Sequence, residues 1–124
     1  MKVIIAGSRD IIDLTCVIEA VSRSGFEITE VVSGTARGVD RLGELWAAQH
    51  NVPIKRFPAD WSIGKSAGYK RNEQMADYAE AAIIIHDGKS KGSQHMLDIA
   101  KRKGLMVYYK IIEEKTNENV SIDF

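Results

Sequence analysis

Residues 31–40 read VVSGTARGVD, a short apolar run that ends at a turn rich in glycine and polar side chains. The same pattern occurs at residues 3–9 (VIIAGSR) and 83–88 (IIIHDG), and a stretch with helical periodicity follows each turn. Alternating strands and helices predict a parallel sheet, whose strand ends meet along one edge, where ligands bind. Three glycine turns at one edge favour a site for an anionic, nucleotide-like ligand.

The apolar spacing predicts strands at residues 2–6, 30–33, 54–57, 82–86 and 105–109. It predicts helices between Asp13 and Gly25, around residues 39–47, and over residues 64–80 and 93–103. Asp13 and Ser93 would cap the first and fourth helices, and Gly25 would stop the first. With helices on both faces, the expected fold class is α/β: a three-layer sandwich with a mainly parallel five-stranded sheet.

The charges of the chain balance, because 17 Lys and Arg face 17 Asp and Glu among 124 residues. Broad nucleic-acid binding needs a basic face, so we expect no nucleic-acid partner, and a local basic site stays open. No apolar run reaches the ~18 residues of a membrane helix. The single Cys16 excludes an intramolecular disulfide, and the three histidines lack metal-ligand spacing. We expect a cytoplasmic protein without membrane attachment, metal or cofactor.

The run Ser33–Asp40 carries the most information about a ligand. Gly34 and Gly38 let the backbone approach a ligand closely, and Arg37 adds a forked donor for phosphate. The unpaired N–H groups at the start of the next helix favour an anion. The alternative is a tight strand-to-helix turn with a surface arginine.

The other two junctions offer similar groups. Ser8 would hydrogen-bond a phosphate or ribose, Arg9 would pair with its charge, and Asp87 would accept from ribose hydroxyls. The alternatives are an exposed turn at residues 7–9 and a capped turn without a ligand at residues 87–93.

Residues 61–75 are unusual for a surface helix. Two glycines lie near the predicted helix start, where each lowers helix stability by about 1 kcal/mol relative to alanine. Gly64, Gly68, Arg71 and Met75 share one helical face, with Asn72 beside them. A bare face would let a ligand contact Arg71 and Asn72, with weaker indications for Lys65 and for stacking on Trp61. The alternative is close packing of helix on sheet.

Together and in order, these segments resemble the SLOG superfamily of Rossmann-like nucleotide-binding proteins, most closely its small YspA/YpsA-related members. The resemblance covers residues 1–109 and rests on Gly7-Ser8-Arg9, SGTARGVD with LGELWA, FPADW, GKSAGYKRNEQMA and DGKSKGS. Similar members carry SGGARG, and here Thr35 replaces the second glycine, which would either narrow the loop slightly or lend a hydroxyl. The resemblance implies one Rossmann-like domain over residues 1–109, with a tail or extra edge strand over residues 110–124. It also implies a nucleotide-derived ligand, ADP-ribose-like signals included, and a homo-oligomer.

Two larger relatives share parts of the pattern. The DNA-processing protein A family has a similar SG-x-ARG-x-D run and a segment like Arg71-Asn72, which implies single-stranded DNA binding. In lonely-guy phosphoribohydrolases, an arginine matching Arg71 and a loop glutamate cleave the N-glycosidic bond of a nucleoside monophosphate. The matching stretch here, residues 93–96 (SQHM), has no glutamate.

The leading hypothesis is a protein that senses, carries or sequesters a nucleotide derivative at the carboxyl edge of the sheet. The alternatives are an N-glycosidic hydrolase, in which Arg71 works with an acid such as Asp40, Glu44 or Asp87, and single-stranded DNA binding. The expected ligand-binding residues are Gly7, Ser8, Arg9, Ser33, Gly34, Thr35, Arg37, Gly38, Asp40, Lys65, Gly68, Arg71, Asn72, Asp87, Gly88, Ser90, Gly92 and Ser93.

Overall fold

A computed structural model describes residues 1–112. Within them, five strands form one all-parallel sheet: β1 (Lys2–Gly7), β2 (Glu30–Ser33), β3 (Ile54–Arg56), β4 (Ala81–His86) and β5 (Met106–Ile111). The α-helices of this part of the chain are α1 (Leu14–Ser24), α2 (Val39–Gln49), α3 (Ala67–Tyr78) and α4 (Lys91–Arg102). The predicted α/β Rossmann-like fold is confirmed.

The sheet is buried on both faces, which explains the unbroken apolar runs of β1 and β4. On one face, Val3 and Ile5 belong to a core with residues of α1 and α2. On the other face, Ile4 and Ile84 belong to a core with residues of α3 and α4. None of the helices within residues 1–112 is long and apolar enough to cross a membrane.

The strand order β3-β2-β1-β4-β5 places a topological switch point between β1 and β4. The chain runs outward from β1 to β3 and then returns to place β4 on the other side of β1. The connections after β1 and β4 therefore leave the sheet in opposite directions. They open a crevice at the carboxyl ends of the strands, which we call the cleft.

Several predicted boundaries need correction in the second half of the chain. A 3₁₀ turn, Trp61–Ile63, precedes α3, and Gly64 has a φ of 104°, so α3 begins three residues later at Ala67. Gly64 therefore does not share a helical face with Arg71. The helix ends at Tyr78 because Ala79 is extended and the Glu80 N–H bonds the Lys2 carbonyl at 2.9 Å.

The start of α4 also differs from the prediction. Ser90, and not Ser93, is the cap, because the Ser90 hydroxyl accepts from the Ser93 N–H at 3.2 Å. The Asp13 cap and the Gly25 stop of α1 are confirmed. Strand β3 ends one residue early, and β5 runs two residues beyond 109 and so takes in Lys110 and Ile111. The rest of the predicted tail, residues 113–124, lies outside the described residues.

Gly43 provides a test of how closely α2 packs on the sheet. A Cβ at this position would lie 2.7 Å from Cγ2 and 2.8 Å from Cβ of Ile5, so Gly43→Ala would force α2 away from β1. We expect the free energy of unfolding to fall by about 1–3 kcal/mol in chemical denaturation. Gly92→Ala, whose Cβ would enter open space, is the control and should change stability by ~1 kcal/mol or less. Equal stability of the two variants would contradict this packing.

Candidate functional site

The turns after β1, β2 and β4 meet at Ser8. The Ser8 N–H donates to the Ile85 carbonyl at 3.0 Å, and the Ser8 carbonyl accepts from the Val39 N–H at 3.2 Å. The Ser8 hydroxyl accepts from the Asp87 N–H at 2.9 Å. Ser8 is buried, and its hydroxyl joins the turn after β1 to the turn after β4.

Gly38 allows the second turn to pack on the first. Its φ is 80°, and a Cβ there would collide with the carbonyl of Ser8 and the backbone of Arg9. Such a backbone conformation costs a side chain about 1–2 kcal/mol or more. The predicted requirement for glycine at this junction therefore has its cause in loop packing.

Arg71 reaches from α3 to the turn after β2. One terminal nitrogen, Nη1, donates to the Gly34 carbonyl, and Nε donates to the Asn72 side-chain oxygen at 3.1 Å. A Cβ on Gly34 would lie 2.7 Å from Asp40 Oδ2 and 2.9 Å from Arg71 Nη1. Gly34 thus leaves room for a carboxyl group and a guanidinium to approach each other across the backbone.

Asp40 is the buried acid of the cleft. Burial raises its pKa to about 6, against the lowering effects of the Ala36 N–H, which donates to Oδ2 at 3.2 Å, and of the Arg71 charge. Asp40 lies in the first turn of α2, where the helix dipole favours a carboxylate. A carboxyl group with this pKa can donate or accept a proton near neutral pH.

Arg9 lines four neighbouring cavities in the described part of the chain. The smallest, about 70 Å³, is also lined by Asp40, Arg71 and Ser93. A second, about 240 Å³, extends along Gly34–Arg37 to Trp61. A third, about 200 Å³, extends towards Lys65 and Gly68. A fourth, about 290 Å³, extends towards Asp87 and Lys89.

The guanidinium-bearing residues Arg9 and Arg71 therefore line the same cleft. Burial lowers the pKa of Arg71, Asp40 raises it, and the positive charge of Arg9 lowers it further. Within residues 1–112, Arg9 pairs with no carboxylate. Arg37 pairs with Asp10 at 3.5 Å, but both side chains are largely exposed, so this pair holds Arg37 weakly.

The sequence profile of the YAcAr family, described as the YspA, cpYpsA-related SLOG family, matches residues 1–64. The chain belongs to this family. The match confirms the predicted SLOG relationship, and it spans the turns after β1 and β2, including Arg9 and Asp40. No curated protein matches the chain.

In this YAcAr protein, the third turn is organised by Asp87. Its Oδ1 accepts from the Lys89 N–H at 2.8 Å and the Ser90 N–H at 3.0 Å. The bond from the Lys89 N–H is the main cause that lowers the pKa of Asp87 and keeps it ionised. Gly88 is exposed, and its N–H donates to Nδ1 of His86 at 2.8 Å.

Glu44 and Ser33 are bound to each other beside the cleft. The Ser33 hydroxyl donates to Glu44 Oε2 at 2.6 Å and accepts from the Thr35 N–H at 3.0 Å. Glu44 Oε1 accepts from Arg56 Nε at 3.2 Å. Both carboxylate oxygens of Glu44 thus have protein partners, which makes it a weaker acid candidate than Asp40.

Two further predicted residues, Asn72 of α3 and Gly92 of α4, border the cleft. Asn72 and Gly92 line the 70 Å³ cavity, although Asn72 is only 6 % exposed and its amide bonds protein groups. His95 and Tyr69, for which sequence reasoning found no ligand role, lie behind and beside Arg71. Tyr69 is three residues from Asn72, and His95 is three residues from Gly92, a spacing too common in helices to signal such contacts. Within residues 1–112, no cluster of three or more His, Cys, Asp or Glu residues could hold a metal ion.

The raised pKa of Asp40 predicts a pH dependence of stability. The folded protein binds this proton with a pKa of about 6 and the unfolded chain with one near 3.8, so lowering the pH through 6 favours the folded state. Relative to Asp40→Asn, the free energy of unfolding of the wild type should rise by about 1 kcal/mol from pH 7.5 to 5.0. Urea denaturation at both pH values measures this difference. Parallel behaviour of the two proteins would contradict it.

Proposed function

We propose that this YAcAr protein binds a nucleotide or nucleotide-derived ligand, ADP-ribose-like or a nucleoside phosphate, as a sensor, carrier or sequestering protein. The observation that carries the proposal is the pair Arg9 and Arg71, whose positive charges face one cleft. Like charges at close range in a partly buried site are unfavourable, and a phosphate between them would remove the repulsion and accept bonds from both. The Nη2 edge of Arg71 has no hydrogen-bond partner within residues 1–112 and would serve this phosphate.

A base and a ribose fit the surroundings of this phosphate position. Trp61 is 55 % exposed and packs on α3, where a Cβ on Gly68 would lie 3.2 Å from its ring. Its ring borders both the 240 Å³ and the 200 Å³ cavities, and Tyr69 borders the second. Aromatic rings beside a cationic cleft favour stacking of a nucleobase. Asp87 Oδ2 would accept from a ribose hydroxyl.

The other expectations for the partners of this protein rest on the resemblance and on composition. We propose a cytoplasmic homo-oligomer that binds neither membranes nor nucleic acid. Native mass spectrometry of the protein purified from cells would give both the number of subunits and the mass of any retained small molecule.

The proposal predicts that both arginines contribute to ligand affinity. Arg9→Ala and Arg71→Ala should each weaken binding of ADP-ribose or AMP by about tenfold or more in calorimetry, because each removes a charge-assisted hydrogen bond. Arg23→Ala, an exposed arginine in the last turn of α1, is the matched control and should bind like the wild type. Adenosine should bind more weakly than AMP.

The absence of binding to AMP, ADP and ADP-ribose would contradict the proposed function. Unchanged affinity in both cleft variants would contradict the assignment of the phosphate position.

An N-glycosidic hydrolase is the second candidate, and Asp40 favours it. A carboxyl group with a pKa of about 6, in the cavity that Arg71 also lines, can protonate a departing base while the guanidinium holds the phosphoribosyl group. Cleavage breaks the bond between the base and C1′, and water supplies the hydroxyl to the sugar and the proton that returns to Asp40.

Hydrolysis of AMP would appear as free adenine in chromatography. We expect Asp40→Asn to lower the rate at least a hundredfold, because general acid catalysis contributes about that much or more. Glu44→Gln should retain most activity, since Glu44 bonds Ser33 and Arg56. The rate should fall as the pH rises through 6, where Asp40 loses its proton. Full activity of Asp40→Asn would remove Asp40 from the reaction.

A further inference from the structure

Next to Arg71, Asn72 and His95 continue a line of hydrogen-bonded side chains. Asn72 Oδ1 accepts from Arg71 Nε at 3.1 Å. Asn72 Nδ2 lies 3.4 Å from the Gly92 carbonyl oxygen and 3.1 Å from His95 Nδ1. Asn72 is 6 % exposed, so its amide depends on these protein partners.

The partners of Asn72 determine which way its amide points. A guanidinium can only donate, so the oxygen of the amide must face Arg71 Nε. A carbonyl can only accept, so the NH₂ group must face Gly92 O. The same NH₂ group faces His95 Nδ1, which must therefore be an acceptor. His95 consequently carries its proton on Nε2 and is neutral.

We propose that Asn72 and His95 are positioning residues that hold Arg71 for the ligand only while His95 is neutral, so that protonation of His95 weakens ligand binding. A proton on Nδ1 would set one N–H against another. Rotating the amide by half a turn would satisfy His95 but would place NH₂ against Arg71 Nε and oxygen against oxygen at Gly92. In the first case Asn72 loses His95 and keeps only its 3.4 Å contact with Gly92 O to hold it against Arg71, and in the second its NH₂ group repels Arg71 Nε. This inference rests on the proposed function, since it takes Arg71 as the ligand's cation.

The surroundings of His95 favour its neutral form. Burial lowers its pKa from the ordinary value of 6.5; Glu73 and Asp98 raise it, and Arg102 lowers it. The Tyr69 ring packs on the imidazole, with 4.3 Å between the ring centroids. We call the hydrogen-bonded line Arg71–Asn72–His95 the relay. These charged groups lie on α3 and α4, the two helices that carry its residues and pack on each other. The net direction is downward, so the relay is intact at pH 7.5.

The relay itself is tested by long-range ¹H–¹⁵N NMR of the imidazole at pH 7.5, which distinguishes the two neutral tautomers. We expect His95 to show a protonated Nε2 and an unprotonated Nδ1. Asn72→Asp should raise the pKa of His95 above that in the wild type, because a carboxylate accepts from a protonated Nδ1. A protonated Nδ1 in the wild type, or an unchanged pKa in this variant, would overturn the relay.

The consequence for binding is tested with ADP-ribose, whose diphosphate keeps a constant charge between pH 5.5 and 7.5. We expect acidification from pH 7.5 to pH 5.5 to lower the affinity of the wild type relative to that of His95→Gln, because only the wild type can take up a proton at this position. His95→Gln, which does not titrate, should lose most of this dependence, whereas Asp40 contributes equally to both proteins. His50→Gln is the matched control, because His50 lies at the far end of α2, where its Nδ1 is 2.9 Å from the Trp46 carbonyl oxygen.

The outcomes separate this inference from the proposed function. Equal pH dependence of the wild type and His95→Gln would overturn the coupling while leaving ligand binding intact. No binding of ADP-ribose to the wild type at pH 7.5 would overturn both the coupling and the assignment of this ligand, whatever tautomer His95 shows.

Discussion

Ser8 links the ends of three strands, and the shape of the cleft depends on that link. Its N–H and hydroxyl bond Ile85 and Asp87 at the end of β4, and its carbonyl bonds Val39 at the start of α2, so three distant segments of the chain meet there. Separating these loops would leave buried polar groups unpaired, at a cost of about 1–3 kcal/mol for each. The loops around the switch point are therefore preorganised, so that a ligand bound there would have to order little of the backbone.

The charges in the cleft make anion binding and acid chemistry compatible. Burial and the positive charge of Arg9 disfavour the charged form of Arg71, whereas ionised Asp40 favours it. A phosphate at the two guanidinium groups would compensate their charge and place a second negative charge near Asp40. Like charges favour the protonated carboxyl, so a bound anion would keep Asp40 in the form that donates a proton. One arrangement of three side chains thus accounts for both candidate functions.

The apolar pattern predicted the strands and the first two helices well, because β1 and β4 are buried on both faces and must be apolar throughout. The errors fall where the hydrogen bonds of a particular turn override the preference of a residue type. Ser93 is a good cap by residue type, but Asp87 binds the Ser90 N–H and brings Ser90 into the capping position. Gly64 lies seven residues before Arg71, a spacing that would place both on one helical face, but Gly64 ends the 3₁₀ turn that contains Trp61 and lies outside α3.

The sequence by itself determined that three glycine turns follow parallel strands, that arginines accompany them, and that the chain belongs among the SLOG proteins. These properties are local, because consecutive residues determine the apolar pattern of a strand and the geometry of a turn. Only the tertiary structure decided that Arg71 bonds Gly34, that Asp40 is buried beside them, and that Asn72 joins Arg71 to His95. Such contacts depend on the strand order and on helix packing across the switch point, and no local pattern encodes those distances.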